Sequence, residues 1–180
     1  MKYKLILAVL TISTIAFCVD FTTNAAPYGQ GIYNEDVPYG GQTSLSISAG
    51  GGVDLSLNPS ESGTLGTGSG TVTVYSTDVV GYRLYVRAVS STDMIQGAFT
   101  IPASANGVPA PLAVNTWGFN TDASSNFIGI STSDTLLKDA AGPFSAGDST
   151  LVTYGLNLDR SKPAGSYASN VMYTAVPETP

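Results

Sequence analysis

Hydrophobic and polar residues alternate along most of the chain that follows residue 43. The alternation is cleanest at residues 44–48, 71–76 and 82–89. Because neighbouring side chains of a strand point to opposite faces, a period of two predicts half-buried β-strands. A short polar turn separates the second and third segments, so we expect these two strands to form a hairpin.

The strand predicted at 82–89 has two different faces. One face is apolar and is expected to join the core: Tyr82, Leu84, Val86 and Ala88. The opposite face carries Arg83, Tyr85 and Arg87. Such a strand fits a sheet with one side packed on a core and one side in water.

The C-terminal third predicts two more strands, at 150–158 and 166–176. The core face of the first consists of Val152, Tyr154, Leu156 and Leu158. Shorter strands are predicted at 98–101 and 115–120. The β-branched and aromatic residues in these segments favour strands over helices.

Three segments depart from the alternation. Residues 26–42 are rich in Gly, Pro and Tyr and predict a flexible N-terminal arm. Residues 63–70 are rich in glycine and predict a loose connection. Residues 134–141 predict the one helical turn of the exported chain, with Asp134 as its N-cap.

The pattern as a whole predicts an all-β protein. Seven to nine short strands with almost no helix are typical of a single immunoglobulin-like antiparallel β-sandwich. We assign this domain to residues 43–176 and a terminal coil to residues 177–180. Crossover helices, which a parallel α/β sheet requires, are not predicted.

The N-terminus predicts an export signal. Lys2 and Lys4 precede an apolar run of about 15 residues, shorter than the roughly 20 that a spanning helix needs. Small residues at Thr23 and Ala25 place Sec-type cleavage after Ala25, so residues 1–25 are the signal peptide. Cleavage also removes Cys18. The expected location is the bacterial cell surface or the extracellular space, with no membrane span left after cleavage.

Composition excludes several classes of chemistry. The chain has no histidine and one cysteine, so no Ser-His-Asp, Cys-His or His-zinc site can form. Asp and Glu number 13 against 7 Lys and Arg, a formal net charge of −6, which argues against a nucleic-acid partner. No pair of carboxylates is placed for glycoside hydrolysis. We therefore expect a protein that is not an enzyme, with no catalytic residues, no cofactor and no metal ligands.

A structural Ca²⁺ is a minor alternative for the polar segment 120–126. Its Asn, Asp, Ser and Thr side chains offer oxygen atoms, which Ca²⁺ prefers. The segment has neither the glycine nor the distal glutamate of an EF-hand loop. A polar turn is the simpler interpretation.

Three groups of residues are candidates for contact with a ligand or partner. Trp117 and Phe119 are able to stack on a sugar ring if exposed, or to anchor the core if buried. The strand face with Arg83, Tyr85 and Arg87 either binds an anionic wall polymer or is a solvated sheet face. The third group lies in the arm, where aromatic residues favour a binding surface or pack back on the domain: Tyr28, Tyr33 and Tyr39.

Three stretches together resemble WxL-type surface domains of Gram-positive bacteria and pilin-like secreted sandwiches. They are the segment at 70–91, NTWGFNTD at 115–122, and the ending at 150–176. The resemblance implies a secreted β-sandwich at the cell surface. Gly118 and Phe119 follow Trp117, so the Trp-x-Leu motifs are absent, and no binding residue is carried over.

The sequence therefore supports one leading hypothesis and two rivals. The leading one is a non-enzymatic structural or adhesive surface protein that contacts the cell wall, neighbouring subunits or a host cell. The first rival is a carbohydrate-binding module with Trp117 and Phe119 as its platform. The second is a fibre subunit that self-associates by strand addition. Expected partners are a cell-wall polymer, a glycan or a surface protein.

Overall fold

A computed structural model of the chain describes residues 6–9 and 44–179, with side chains from residue 44 onward. The strands are β1 (Ile6–Val9), β2 (Ser44–Ala49), β3 (Asp54–Leu57), β4 (Thr64–Thr77), β5 (Gly81–Ala88), β6 (Met94–Gln96), β7 (Phe99–Ile101), β8 (Thr116–Asn120), β9 (Thr135–Ala141), β10 (Asp148–Leu158) and β11 (Val171–Glu178). No helix able to cross a membrane occurs in this described part.

Two antiparallel sheets pack face to face and confirm the all-β sandwich. The first sheet has the strand order β2-β4-β10-β8, and the second has the order β11-β5-β9. A two-stranded β6-β7 hairpin and the β1-β3 pair complete the fold. Ten strands lie between Ser44 and Glu178, slightly more than the seven to nine predicted.

The core lies between the two sheets and has the residues that the alternation predicts. From β5 it receives Tyr82, Leu84, Val86 and Ala88, and from β10 it receives Val152, Tyr154, Leu156 and Leu158. Both sets are almost completely buried. The period of two therefore identified the inner face of each strand correctly.

The hairpin prediction for residues 71–89 is wrong. β4 pairs with β2 and β10 in the first sheet, whereas β5 pairs with β11 and β9 in the second. The short turn between β4 and β5, with Asp78 at a φ of 55°, carries the chain from one sheet to the other. Both arrangements need two strands and a tight turn, so local sequence does not distinguish them.

The glycine-rich segment 63–70 is not a loose connection, because β4 begins at Thr64 and includes it. A Cβ at Gly66 would lie 2.5 Å from Leu57 Cδ2, and one at Gly68 would lie 2.6 Å from Val53 Cγ1. The missing side chains let β3 pack closely on the inner face of β4. We call Gly66, Gly68 and Gly70 the glycine stripe.

The helical turn predicted at 134–141 is also wrong. Residues 135–141 form β9, which pairs with β5 through a register shift at Leu84 and Tyr85. Hydrogen bonds to a neighbouring strand outweigh the helix propensity of Leu, Lys and Ala in so short a segment.

The predicted terminal coil is shorter than expected, because β11 continues through Pro177 to Glu178. Pro177 is tolerated there because β11 is an edge strand.

Ile6–Val9, inside the predicted signal peptide, forms β1 and pairs antiparallel with all four residues of β3. The remaining residues of the predicted signal peptide and of the predicted arm 26–42 lie outside the described residues. The predicted start of the domain at residue 43 lies one residue before β2.

Candidate functional site

The structure places Trp117 and Phe119 in the core. They lie on β8 and are 1% and 0% exposed. The indole Nε1 of Trp117 donates a hydrogen bond to the Thr92 carbonyl at 2.9 Å, and its ring lies 6.4 Å from that of Tyr154. Neither ring has a face open to a sugar, so this placement contradicts the platform predicted on these two residues.

Loops from the middle of the chain cover β8 on its other side. Phe127 packs against Gly155, and the carbonyl of Ile128 lies against Gly118. Backbone hydrogen bonds join Phe119 and Ile128 in both directions at 2.9 Å. This cover buries the outer face of β8 and the adjoining half of β10, leaving the rest of the first sheet open.

Arg83, Tyr85 and Arg87 lie on the outer face of β5, as predicted. Arg83 forms ion pairs with Asp139 at 3.1 Å and with Glu178 at 2.6 Å. The Asp139 hydrogen bond is the main cause of the raised pKa of Arg83.

Arg87 pairs with Asp134 at 3.5 Å and also donates to the sulfur of Met172. Because both guanidinium groups already face carboxylates, this face offers little uncompensated positive charge to an anionic polymer. The arm residues Tyr28, Tyr33 and Tyr39 lie outside the described residues.

The polar segment 120–126 forms a turn held by its own hydrogen bonds. The Asn120 amide donates to the carbonyls of Ser124 and Asn126, both at 2.9 Å. Asp122 accepts from the Ser124 backbone N–H, which is the main cause of its lowered pKa. Within the described range, no group of three or more carboxylates or thiols is arranged to hold a metal ion.

One partly buried ion pair joins the two sheets. Lys138 of β9 donates to Asp148 of β10 at 2.6 Å, and the Tyr82 hydroxyl donates to the other carboxylate oxygen at 2.8 Å. Burial opposes ionisation of Asp148, but these two hydrogen bonds lower its pKa overall. Burial, and then the Asp148 contact, raises the pKa of Tyr82. Lys138, Asp148 and Tyr82 thus each have a hydrogen-bonded partner, as expected where a partly buried charge serves a structural role.

A tyrosine pair lies deeper between the sheets. The hydroxyls of Tyr154 and Tyr173 are 2.5 Å apart. Burial raises the pKa of Tyr173 to about 12 and also raises that of Tyr154. Two neutral phenols sharing one hydrogen bond satisfy each other in the core.

The open part of the first sheet carries a continuous hydroxyl-bearing surface. Most of its outward-facing side chains, from β2, β4 and the start of β10, carry hydroxyls: Ser44, Ser46, Ser48, Thr67, Ser69, Thr71, Thr73, Thr77 and Ser149. Leu65 and Leu151, 44% and 45% exposed, share this face. We call this surface, together with Tyr75 at its centre, the hydroxyl face. β2 and β4 contain no charged residue.

Hydrogen bonds between strands order the hydroxyl face. Ser44 and Thr77 are 2.7 Å apart, and Thr73 and Ser149 are 2.9 Å apart. Each hydroxyl both donates and accepts, so each keeps capacity for a further partner. The face is therefore a neutral polar surface, ordered before any ligand arrives.

This surface was not among the sites predicted from the sequence. The alternation of residues 72–75 did indicate which side chains face outward. Val72 and Val74 are buried, so Tyr75, the next residue in the alternation, faces outward. What the sequence did not contain was the pairing of β4 with β2 and β10, which assembles the hydroxyls into one surface.

No protein-family model matches this chain, and no curated protein is significantly similar to it. The resemblance to WxL-type and pilin-like domains therefore stays a prediction.

Proposed function

We propose that this chain is an exported, non-enzymatic protein of the bacterial cell surface that acts by contact, with the hydroxyl face as its contact surface. The observation that carries the proposal is the size and neutrality of this face, which extends over three strands of one sheet. Its partner is a cell-wall polymer, a glycan or a surface protein.

Two further features support a contact role. The chain has no histidine, and ion pairs such as Arg83–Asp139 and Lys138–Asp148 tie strands together. Rigid strands also hold contact groups at fixed spacings, which lowers the entropic cost of binding. Export rests on the predicted signal peptide, and N-terminal sequencing of the released protein is expected to begin at Ala26.

Retention of the exported protein on purified cell-envelope fractions tests the proposal. The variant Thr71→Lys places a charge in the hydroxyl face, whereas Val108→Lys adds the same charge to a loop residue that is 71% exposed. We expect the first variant to lose retention and the second to keep it. Equal retention of both variants would contradict the proposal.

A fibre subunit built by strand addition is a second candidate, and the β1-β3 pair favours it. Cleavage after Ala25 would remove Ile6–Val9 and leave the β3 edge without this partner. An unpaired edge accepts an extended segment of another copy.

Light scattering on the exported protein after size-exclusion chromatography tests this candidate. We expect polymers or dimers that disappear in Ser56→Pro, because proline removes an N–H from the β3 edge. Monomers at every concentration would contradict strand addition.

A further inference from the structure

The centre of the hydroxyl face has the features of a sugar-binding platform. Tyr75 is 42% exposed, although it lies in the middle of a sheet rather than in a loop. Ser46 lies directly opposite it on β2. The hydrogen-bonded pairs Ser44–Thr77 and Thr73–Ser149 lie on either side of it along the strands.

Gly147 fixes the position of the Tyr75 ring. A Cβ on Gly147 would lie 2.6 Å from Cε1 and 3.0 Å from Cζ of the ring, so the phenol leans over the glycine backbone. Gly147 also has a φ of 89°, which disfavours any residue with a side chain. The ring is thus held low over the sheet and leaves much of its surface to solvent.

The surroundings of the ring favour an uncharged ligand. β2 and β4 contain no charged residue, and the nearest carboxylate along β10, Asp148, is engaged by Lys138 and Tyr82. With a net charge of −6 and no cation on these strands, the surface gives an anionic polymer nothing to pair with. Tyr75, Leu151 and Leu65 are the exposed large hydrophobic side chains of this face, and they are spread along β4 and β10 rather than clustered. A protein partner would favour one contiguous apolar and aromatic centre.

We propose that Tyr75 and the hydroxyls around it bind a neutral polysaccharide. The C–H-rich face of a pyranose ring packs on the electron-rich face of the tyrosine ring. Ser46, Thr73 and Ser149 exchange hydrogen bonds with its hydroxyls. The outward positions of β4 from Thr67 to Thr77 extend over about 33 Å, so the face fits an extended chain of sugars better than a single sugar.

This inference rests on the proposed function and names the ligand class of the same face. The test is affinity electrophoresis of the exported protein in gels containing hydroxyethyl cellulose, galactomannan or amylose, with polygalacturonate as the anionic control. We expect at least one neutral polymer to retard the wild-type protein and polygalacturonate not to do so. Retardation by no neutral polymer, or by polygalacturonate alone, would overturn the inference.

Variants identify the platform. We expect Tyr75→Ala to weaken binding about tenfold or more, and Tyr75→Phe to change it less than threefold, because the ring is kept. Leu136→Ala, which shortens a residue that is 50% exposed on the second sheet, is the matched control and should bind as wild type. Wild-type binding by Tyr75→Ala would overturn the inference.

A second variant covers the case in which Tyr75→Ala does not fold. Ser46→Glu adds a charged side chain directly opposite Tyr75 at an exposed position, and we expect it to abolish retardation. If Ser46→Glu leaves retardation unchanged and alters only the oligomeric state, the face is a contact between copies of this chain and the inference fails.

Retention on whole envelope fractions distinguishes this failure from that of the proposed function. If Thr71→Lys abolishes retention on the envelope while no neutral polymer retards the wild type, the contact role stands and the ligand class is refuted. If a neutral polymer retards the wild type in a Tyr75-dependent way but the envelope never retains the protein, the surface role is refuted instead.

Discussion

Adding one methyl group to the glycine stripe tests how closely β3 packs on the first sheet. A Cβ at Gly66 or Gly68 would lie 2.5 or 2.6 Å from side-chain carbons of Leu57 or Val53, whereas a Cβ at Gly70 would lie 3.2 Å from Val53. Carbon atoms pack best at about 3.5–4.0 Å. Gly66→Ala and Gly68→Ala therefore require the side chain of Leu57 or Val53, or β3 itself, to shift, whereas Gly70→Ala requires only a small adjustment.

The expected size of the effect follows from two opposing contributions. Overpacking a core costs about 1–3 kcal/mol in unfolding free energy. Replacing glycine by alanine returns about 0.4–1 kcal/mol, because the unfolded chain loses conformational freedom. We expect Gly66→Ala and Gly68→Ala to lose about 1–2 kcal/mol each, and Gly70→Ala to stay within about 0.5 kcal/mol of wild type.

Equilibrium unfolding in urea measures these differences. The fluorescence of Trp117, the one tryptophan in the chain and 1% exposed, reports the loss of the core. The slope of free energy against urea should be the same in all variants, since the fold is unchanged. Gly66→Ala and Gly68→Ala as stable as Gly70→Ala, at an unchanged slope, would refute the packing argument.

A double-mutant cycle isolates the contact between Gly66 and Leu57. Leu57→Ala alone removes a buried side chain, but in the Gly66→Ala background it also removes the clash. We therefore expect the double variant to be more stable than the sum of the single changes predicts, by about 1 kcal/mol. Strict additivity would show that Gly66 and Leu57 do not interact as the structure indicates.

Three further predictions concern pH and loop packing. Because burial raises the pKa of Tyr173 to about 12, the folded protein retains a proton that an unfolded tyrosine, with a pKa near 10, releases. Tyr173 alone should lower stability in urea by up to roughly 1.4 kcal/mol per pH unit between about pH 10 and 12. Burial also raises the pKa of Tyr154 and Tyr82, so Tyr173→Phe should reduce the slope without removing it, and a wild-type slope in the variant would contradict the cause. The lowered pKa of Asp148 gives stability that is present above about pH 4 and lost as the pH falls through the folded-state value. Asp148→Asn should lower the unfolding free energy by about 1–3 kcal/mol at pH 7. The difference in stability between variant and wild type should narrow in acid. A difference that does not change with pH would show that the charge of Asp148 is not its cause. A Cβ at Gly129 would overlap the backbone carbonyl of Ser104 in the neighbouring loop, so Gly129→Ala should lower the unfolding free energy by more than about 3 kcal/mol in the same urea assay. Gly107 has open space around it, so Gly107→Ala should lower it by less than about 0.5 kcal/mol. Similar losses in both variants would refute the loop packing.

The alternation of residues predicted the strands and their inner faces well, because burial of one face is a local pattern. The pairing of strands was not predictable in the same way. β4 joins β10, about 80 residues further along the chain, rather than β5, which follows it directly. The choice depends on the distant strands that complete each sheet, and no short segment contains that information.

The glycine stripe shows how a correct observation led to a wrong prediction. Glycine is depleted in strands, so the run at 63–70 indicated a loose connection. Its glycines nevertheless occupy alternate positions, 66, 68 and 70, which is the period of a strand whose inner face must accept another strand closely. The spacing, rather than the abundance, of glycine was the useful signal.

The candidate sites were harder to predict than the fold. The sequence favoured a buried Trp117 but left an exposed indole open, because its burial depends on distant partners such as Thr92 and Tyr154. Arg83 and Arg87 were placed on the correct face, but their carboxylate partners come from β9, β11 and the segment before β9. Tyr75 was identifiable as outward-facing, yet its proposed role depends on the neutral neighbours that β2 and β10 supply.

Hydrogen–deuterium exchange on the protein bound to envelope fractions tests the proposed contact role of the hydroxyl face most directly. We expect slower exchange on binding in peptides covering 44–49 and 71–77, and unchanged exchange in peptides covering 81–88 and 171–178 of the second sheet. Slower exchange confined to the second sheet, or to the loops that cover β8, would contradict this role.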